Sequence, residues 1–306
     1  MGRDPESKRS EAHAPRLADA GVATSPLSPG LWLVSTPIGN AADITLRAID
    51  VLTRADVLAA EDTRRTRQLL DIHGIPLGRR PMVSYHDRNG AQRRPQILDW
   101  LAEGKSVAYA SDAGTPLIAD PGYRLAEAAR LAGHPIHAAP GASAVLTALT
   151  LAGLPTDRFF FAGFLPSRAA ARRRTLGELA AVPSTLVFYE SPRRVAAALA
   201  DMADELGAER EVALTRELTK KFEEVRRGTL GEVSSELSGE PPPRGEIVLV
   251  VGPPTETCQR TEDDLDALLT DALQTLGTKD AAREVAARTG LPRREVYARA
   301  LQLSNR

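Results

Sequence analysis

Short apolar runs alternate with amphipathic segments through the first half of the chain. Five runs of four or five residues have the length and composition of buried strands. They lie at 31–35, 56–60, 82–85, 106–109 and 135–138. The segments between them have apolar residues at helical spacing, and Asp43 is the predicted N-cap of the first helix, at 44–52. Strands and helices that alternate in this way predict an α/β fold, a mainly parallel sheet with helices on both faces.

A second alternation begins after residue 154 and predicts a second sheet with some antiparallel pairing. Its predicted strands and helices lie at 159–162, 169–179, 184–189, 195–206, 211–215 and 247–251. A linker at 253–260 precedes a segment with helical periodicity only, whose last two helices resemble a helix-turn-helix. The predicted parts are a disordered extension (1–30), an N-terminal α/β domain (31–154), a second α/β domain (155–252) and a small C-terminal helical domain (261–306).

Polar or glycine-rich sequence follows every strand of the first predicted sheet. These loops lie at 36–40, 61–64, 85–89, 111–122 and 139–144. The loop 111–122 is longer than the roughly 2–6 residues that usually join a strand to a helix. Gly114 and Gly122 permit a ligand to approach closely, and Pro116 and Pro121 stiffen the loop. Because ligands bind outside the carboxyl ends of parallel strands, we predict a ligand site at this edge.

Composition narrows the classes of protein. Lys and Arg total 39 against 40 Asp and Glu, so any contact with nucleic acid must come from local patches. The single cysteine, Cys258, excludes an internal disulfide and a multi-cysteine metal site, and it is typical of a cytoplasmic protein. No apolar run approaches the ~20 residues of a membrane span. We therefore expect a soluble protein without a membrane partner.

Seven short motifs occur in order along the chain. They lie at 35–40, 61–64, 111–116, 140–144, 163–166, 188–191 and 216–220. Together they resemble the family of 16S ribosomal RNA cytidine 2′-O-methyltransferases within the tetrapyrrole methylase superfamily. The resemblance runs from about residue 31 to residue 251, and the C-terminal helices are similar to a small domain appended in that family.

The resemblance implies a tetrapyrrole methylase-like two-domain fold with S-adenosyl-L-methionine, the methyl donor, in a cleft between the domains. It also implies a homodimer whose acceptor is a cytidine ribose in the decoding centre of bacterial 16S rRNA, within the small ribosomal subunit. No Gly-x-Gly-x-x-Gly fingerprint follows the first strand, so the usual dinucleotide-binding interpretation does not apply.

The loop 111–122 suits the adenosine and methionine parts of this donor, since it presents backbone groups at close range from Gly114 onward. The predicted cofactor-binding residues are Pro37, Asp112, Gly114, Thr115, Pro116, Ile118, Ser143, Ala144, Leu165 and Tyr189. Several of them, including Pro37 and Leu165, are assigned by the resemblance alone. Asp112 has an equal alternative, in which it bonds to N–H groups of the turn. Ser143 has the alternative of capping its helix.

Methyl transfer to a ribose hydroxyl is an in-line displacement that needs orientation and a base but no metal. Glu190 is the preferred base, because a carboxylate partly buried in a cleft has a raised pKa, and a structural role is the alternative. Glu61 is a second candidate, and either it or Asp62 is available to hold Arg64 in a structural pair. Lys220 is predicted to steer a phosphate or to lower the pKa of the hydroxyl.

Three clusters of arginines lie near the predicted site and suit RNA phosphates, although any one cluster is more often a solvated face. The predicted RNA-binding residues are Arg64, Arg65, Arg168, Arg172, Arg173, Arg174 and Arg193. Phe164 and Tyr189 are candidates for stacking a splayed base, with core packing as the alternative.

Two other functions fit parts of the sequence. A tetrapyrrole (precorrin-type) methyltransferase would share the cofactor site, but the motifs at 61–64 and 216–220 and the helical domain disfavour it. A ligand-sensing helix-turn-helix regulator is disfavoured because the terminal helix pair is short and follows an acidic segment.

Overall fold

The structure of the chain is a computed structural model that describes residues 26–120, 122–254, 262–274, 276–289 and 293–304. The predicted extension (1–30) and linker (253–260) lie largely outside the described residues, and Pro121 lies outside them as well.

The first sheet is parallel throughout, as the sequence predicts. Its strands are β1 (Gly30–Val34), β2 (Val57–Ala60), β3 (Met82–Ser84), β4 (Ser106–Ala110) and β5 (Ile136–Ala139). They pair in the order β3-β2-β4-β1-β5, and each pairing is parallel. Every residue of β2 and β4 is buried. Burial on both faces explains why these strands appear in the sequence as continuous apolar runs rather than as an alternation.

Helices cover both faces of this sheet. They are α1 (Leu46–Arg54), α2 (Thr63–Ile72), α3 (Gly90–Ala102), α4 (Tyr123–Leu131) and α5 (Ala144–Ala152). One apolar cluster joins α1 and α2 to the sheet through residues such as Leu52 and Leu70, and another joins α3 and α4 through Ile97 and Leu125. The buried apolar area of these two clusters supplies the main driving force for folding of this part of the chain.

The predicted N-cap of α1 was wrong. Asp43 lies in a short 3-10 turn, Ala41–Asp43, whose own cap is Asn40. Thr45 caps α1 instead, and its hydroxyl accepts the Ala48 N–H at 3.1 Å. The extra turn moves the start of the helix two residues downstream of the predicted position.

The second sheet is mixed. Its strands are β6 (Phe159–Phe164), β7 (Thr185–Glu190), β8 (Glu211–Arg216), β9 (Glu224–Thr229) and β10 (Ile247–Val251). The order is β6-β7-β10-β8-β9, with β6 and β7 parallel. The Glu217 N–H donates to the Glu246 carbonyl, and the Gly252 N–H donates to the Glu211 carbonyl. Residue numbers therefore rise along β8 where they fall along β10, which makes these two strands antiparallel. The predicted α/β class with a parallel sheet and a mixed sheet is confirmed.

Helices α6 (Ala169–Leu179), α7 (Val195–Leu206) and α8 (Leu230–Ser238) accompany this sheet. Three further helices form a small cluster near the end of the chain: α9 (Glu262–Leu273), α10 (Thr278–Thr289) and α11 (Arg293–Ser304). Their described core includes Leu269, Val285 and Val296, which are completely buried. Among the described helices, none combines the length and apolar composition needed to cross a membrane.

The chain packs as two compact units. One consists of the described residues up to Ala152 together with Leu214–Val225 and Gly245–Val248, and the other consists of Gly153–Ala213, Arg226–Arg244 and the described residues from Leu249 onward. Two segments from the second half of the sequence thus pack with the first half. The domain boundaries at 154 and 252 stay a prediction.

The sequence predicted neither β9 nor α8. A signal was present, since Thr229 is followed three residues later by Glu232, the spacing of a capping box. In the structure the Thr229 hydroxyl accepts the Glu232 N–H at 3.2 Å, and the Glu232 carboxylate accepts the Thr229 N–H at 2.8 Å. These two bonds satisfy N–H groups that the first turn of α8 would otherwise leave unpaired.

Removal of the Thr229 cap should destabilise the protein. Thr229→Ala should lower the free energy of unfolding by about 1 kcal/mol, because the Glu232 N–H loses its partner. Denaturant unfolding measures the change. Ser235→Ala in the same helix is the matched control, since Ser235 is exposed and its substitution should change stability by less than about 0.5 kcal/mol. Equal losses for the two variants would contradict the importance of the cap.

Candidate functional site

The loop after β4 is fastened to the loop after β1. Thr36 and Gly114 exchange two backbone hydrogen bonds of 3.0 Å each. The Thr36 hydroxyl donates to the Ser111 carbonyl at 3.1 Å, and the Ser111 hydroxyl donates to the Gly114 carbonyl at 2.7 Å. Gly114 has φ +79°, and a Cβ there would lie 3.2 Å from the Ile38 side chain. Glycine is favoured here because the left-handed backbone would be strained by a side chain, which would also require Ile38 to shift.

The loop after β5 joins the same assembly. The Thr115 hydroxyl donates to the Ala142 carbonyl at 3.0 Å. Ser143 accepts the Leu146 N–H at 3.5 Å, which is too long for a strong cap, so its hydroxyl retains bonding capacity. The structure thus brings together predicted cofactor residues from three loops. Of the rest, Pro116 is buried, Ala144 begins α5, and Ile118 is 44% exposed.

An open cavity of about 360 Å³ lies beside these loops, within the first unit. Pro37 and Asp112, both predicted cofactor residues, line it together with Arg65 and Lys220. The remaining lining includes Glu246, which the sequence did not single out. The cavity thus combines backbone, carboxylate and cationic groups at the carboxyl-end edge of the sheet, where the sequence predicts a ligand site.

Three carboxylates converge near the loop after β4. Burial, and then the negative charges of Asp112 and Asp120, raise the pKa of Glu61 above its ordinary value. Burial also raises the pKa of Asp120, although this carboxylate accepts hydrogen bonds from the Gly122 N–H at 2.6 Å and the Tyr109 hydroxyl at 2.8 Å. Asp120 is not among the residues predicted from the sequence, although its position two residues before Gly122 is typical of an Asx turn. A partly exposed carboxyl with a raised pKa, such as Glu61, is suited to exchange protons.

Asp62 has the opposite environment. Its carboxylate caps α2 through the Arg64 N–H and also binds the Arg64 guanidinium at 2.8 Å. Hydrogen bonds from Arg64 hold the pKa of Asp62 well below its usual range. The predicted structural pair with Arg64 is confirmed, and Asp62 rather than Glu61 forms it.

Asp112 holds neighbouring loops. One carboxylate oxygen accepts the Asp62 N–H at 2.8 Å, and the other lies 3.6 Å from the Arg65 guanidinium. These contacts give Asp112 a structural role, as in the alternative interpretation, although the N–H group belongs to the loop after β2 and not to the turn of Asp112 itself. The side chain is also 24% exposed and lines the cavity, so its role toward the cofactor stays a prediction.

Lys220 belongs to a rigid loop of the first unit. Its ammonium donates to Glu217 at 2.9 Å and to Glu246 at 3.0 Å. Burial acts to lower the pKa of Lys220, but the hydrogen bonds to these two carboxylates outweigh it and raise the pKa, so the group stays charged. Glu217 and Thr219 have left-handed backbone, with φ of 51° and 65°. Such conformations are uncommon for residues other than glycine and are concentrated at functional sites.

The same loop contacts the loop after β1. The Asn40 N–H donates to the Thr219 hydroxyl at 3.0 Å, and a side chain at Gly39 would overlap both Thr219 and Lys220. The motif at 216–220 therefore holds the first loop of the site in place. The sequence predicted only a role for the charge of Lys220, and it did not predict the contacts of Thr219 and Lys220 with the first loop.

In the second unit, Glu190 is enclosed. Its side chain is 0% exposed, and it accepts the Ser191 N–H at 2.7 Å and an Arg194 N–H at 3.3 Å. Arg194 also donates to the carbonyls of Leu165 and Pro166. This network ties the motif at 163–166 to the motif at 188–191 and favours a structural role for Glu190. Its assignment as the base stays a prediction, as does the cofactor role of Leu165, which is 3% exposed.

The predicted RNA-binding arginines differ in how far they are engaged. Arg172 is buried against Asp201 at 2.6 Å, and Arg173 binds Asp201 at 2.8 Å. Arg174 lies 3.7 Å from Glu178. Arg168 and Arg193 are exposed, and no ion pair to either is present among the described residues. The remaining two, Arg64 and Arg65, are exposed near carboxylates of the first unit.

Comparisons with known proteins agree with this architecture. A family model described as tetrapyrrole (corrin/porphyrin) methylases matches residues 30–234, and a model of the RsmI C-terminal HTH domain matches residues 259–304. A Mesorhizobium japonicum protein named ribosomal RNA small subunit methyltransferase I is 47% identical and covers 93% of this chain and 95% of its own length. A protein of the same name from Micromonospora olivasterospora is 47% identical, with coverage of 87% and 85%.

The chain belongs to the ribosomal RNA small subunit methyltransferase I family. Membership of this family confirms the resemblance drawn from the seven motifs. Among solved structures, the uroporphyrin-III C-methyl transferase of Thermus thermophilus complexed with S-adenyl homocysteine is 21% identical, with a TM-score of 0.51. The match covers 73% of this chain and 97% of that one, and it is a likeness of fold.

The opposite environments of Glu61 and Asp62 predict opposite effects on stability in this member of the family. The folded-state pKa of Glu61 is raised, so its contribution to stability is complete below the unfolded value of 4.5 and is lost as pH rises through the folded value. Glu61→Gln should therefore raise the free energy of unfolding at pH 7 relative to the unsubstituted protein, and the gain should vanish toward pH 4.

Asp62→Asn is the matched control, because the folded-state pKa of Asp62 is lowered. Its stabilising contribution exists above the unfolded value of 3.8 and is lost as pH falls through the folded value, so this substitution should destabilise at pH 7. Denaturant unfolding over the pH range tests both. A loss of stability at pH 7 in Glu61→Gln would contradict the proposed environment of this carboxyl.

Proposed function

We propose that this chain transfers a methyl group from S-adenosyl-L-methionine to the 2′-hydroxyl of a cytidine in the decoding centre of 16S rRNA. Support comes from relatives that are 47% identical and are named ribosomal RNA small subunit methyltransferase I. The observation that carries the proposal for this chain is the set of interlocked loops at the carboxyl-end edge of the first sheet. They form a preorganised ligand site of the kind that a methyltransferase requires.

The residues present fit the donor. Backbone groups around Gly114 are fixed by the bridge to Thr36, and the cavity beside them presents both carboxylates and cations, as suits a donor that carries an amino group, a carboxylate and a sulfonium. The residues proposed to hold it in the first unit are Pro37, Asp112, Gly114, Thr115, Pro116, Ile118, Ser143 and Ala144. Leu165 and Tyr189 of the second unit are proposed as further contacts. When bound, S-adenosylmethionine supplies a methyl group on a positively charged sulfur, which is activated for in-line displacement.

The protein has to accept a proton from the ribose hydroxyl as the new C–O bond forms. Glu61 is the better candidate for this base, since burial and its acidic neighbours raise its pKa and it is partly exposed at the carboxyl-end edge of the sheet. Glu190, the base preferred from the sequence, becomes the alternative, because its carboxylate is enclosed by Ser191 and Arg194. Lys220 is charged and cannot act as a base. It is proposed as a fixed cation near the acceptor.

The proposed partner is 16S rRNA within the small ribosomal subunit, in the cytoplasm, and the proposed assembly is a homodimer. The named relatives favour this substrate over a tetrapyrrole. The match of residues 259–304 to the C-terminal domain of the same family also favours it over a ligand-sensing regulator.

The proposal is tested by incubating the protein with methyl-labelled S-adenosylmethionine and small subunits that lack the modification. Label should appear on a 2′-O-methylcytidine of 16S rRNA. In the same assay Glu61→Gln should lower the rate of transfer by about 10²–10⁴-fold, the usual contribution of a positioned base. Asp62→Asn is the control and should retain the rate, since that carboxylate is committed to Arg64.

The possible results test the proposed reaction and the proposed base separately. Absence of label on 16S rRNA, or label at another position of the nucleotide, would refute the proposed reaction. A normal rate for Glu61→Gln together with a large loss in Glu190→Gln, at unchanged affinity for S-adenosylhomocysteine, would instead return the role of base to Glu190.

A further inference from the structure

We propose that the carboxyl ends of β6 and β7 form a binding site for an unpaired nucleotide of the acceptor RNA, in which Phe164 stacks on the base and Arg168 and Arg193 bind flanking phosphates. This inference rests on the proposed function and adds a location for the acceptor. Phe164 and Tyr189 occupy paired positions in parallel strands, so the segments that follow them leave the sheet at the same edge.

Phe164 has the properties of a stacking platform. The residue is 58% exposed, although it ends a strand that pairs with β7. It is also held in place, since its ring contacts the Tyr189 ring edge-on at 5.5 Å and Tyr189 contacts Phe161 at 4.9 Å. Phe164 is thus an exposed aromatic ring held by a neighbouring ring, and nucleobases stack on such rings with little dependence on sequence.

The backbone around Phe164 is rigid as well. Arg194 donates to the carbonyls of Leu165 and Pro166, and its own guanidinium is held by the buried Glu190. These bonds fix the start of α7 beside the segment that follows β6. Arg193, which precedes Arg194, and Arg168, which lies two residues beyond Pro166, are therefore placed at the same end of the sheet.

The predicted RNA-binding arginines of this unit differ in whether a carboxylate holds them. Arg172 and Arg173 are committed to Asp201 on α7, so they hold two helices together. Arg168 and Arg193 are exposed, and no carboxylate pairs with either in the part of the chain that the structure describes. Cations without partners next to an exposed aromatic ring suit single-stranded RNA, which combines phosphate charge with an accessible base.

The amino end of β6 provides matched controls. Arg158 and Phe159 are also exposed, and they lie at the opposite end of the same strand.

Binding of the full-length protein to a short single-stranded RNA, followed by fluorescence anisotropy over a range of salt concentrations, tests the site. Thermal unfolding verifies that each variant is folded.

Phe164→Leu should weaken RNA binding by ~5- to 150-fold without changing its salt dependence, since it removes stacking and no charge. Arg168→Gln and Arg193→Gln should each reduce the slope of log affinity against log salt by about 0.7, the value for one phosphate contact with a single strand. Arg158→Gln and Phe159→Leu should bind as the unsubstituted protein does.

Three results would overturn the inference. The first is unchanged RNA binding by Phe164→Leu, and the second is weaker binding of S-adenosylhomocysteine by this variant, which would assign the ring to the cofactor. The third is a change in the molecular mass of Phe164→Leu in solution relative to the unsubstituted protein, which would assign the surface to a second copy of the chain. If methyl transfer to 16S rRNA occurs while all variants bind RNA normally, this site fails and the proposed function stands. If the variants behave as expected but no transfer occurs, the proposed function fails instead.

Discussion

Two backbone hydrogen bonds between Thr36 and Gly114 join the loops that follow β1 and β4, two adjacent strands of the first sheet. Most other features of the site depend on this junction. The Thr36 and Ser111 hydroxyls reinforce it, Thr115 extends it to the loop after β5, and Asp112 extends it to the start of α2. Loops that would each be mobile alone are thereby fixed relative to one another. A ligand that binds there loses less free energy in ordering the protein.

The charged groups of the site differ in how far their charges are compensated. Asp62 and Lys220 have partners that stabilise their charged forms. Glu61 is compensated only in part, because burial and then the negative charges of Asp112 and Asp120 outweigh a backbone hydrogen bond at Asp112 and the positive charge of Arg65. Burial raises the pKa of Asp120 as well, so the chain accepts an electrostatic penalty at two neighbouring carboxyls while it stabilises the charges of Asp62 and Lys220. Penalties of this kind are concentrated where proton transfer is needed.

The sequence predicted the parts of the structure that depend on local pattern. The strands of the first sheet and the cluster of polar loops at its carboxyl edge follow from apolar runs and from general topology. It predicted less well what depends on contacts between distant segments. Arg194, which holds Glu190, also binds the carbonyls of Leu165 and Pro166 from an earlier segment, and the contact between Gly39 and Thr219 likewise joins residues far apart in the chain. The error at Asp43 arose because Asn40, Asp43 and Thr45 are all residue types that cap helices, and the sequence does not show that a 3-10 turn occupies 41–43.

The claim that the donor binds at the carboxyl edge of the first sheet is tested most directly by calorimetric titration with S-adenosylhomocysteine. Two glycines with similar left-handed backbone allow a matched comparison: Gly114, with φ +79°, in the site, and Gly104, with φ +77°, just before β4 at the opposite edge. Alanine at either position introduces a comparable backbone strain of about 1–2 kcal/mol. The structure predicts that Gly114→Ala loses affinity at least tenfold while Gly104→Ala binds normally. Equal affinities in the two variants would contradict it.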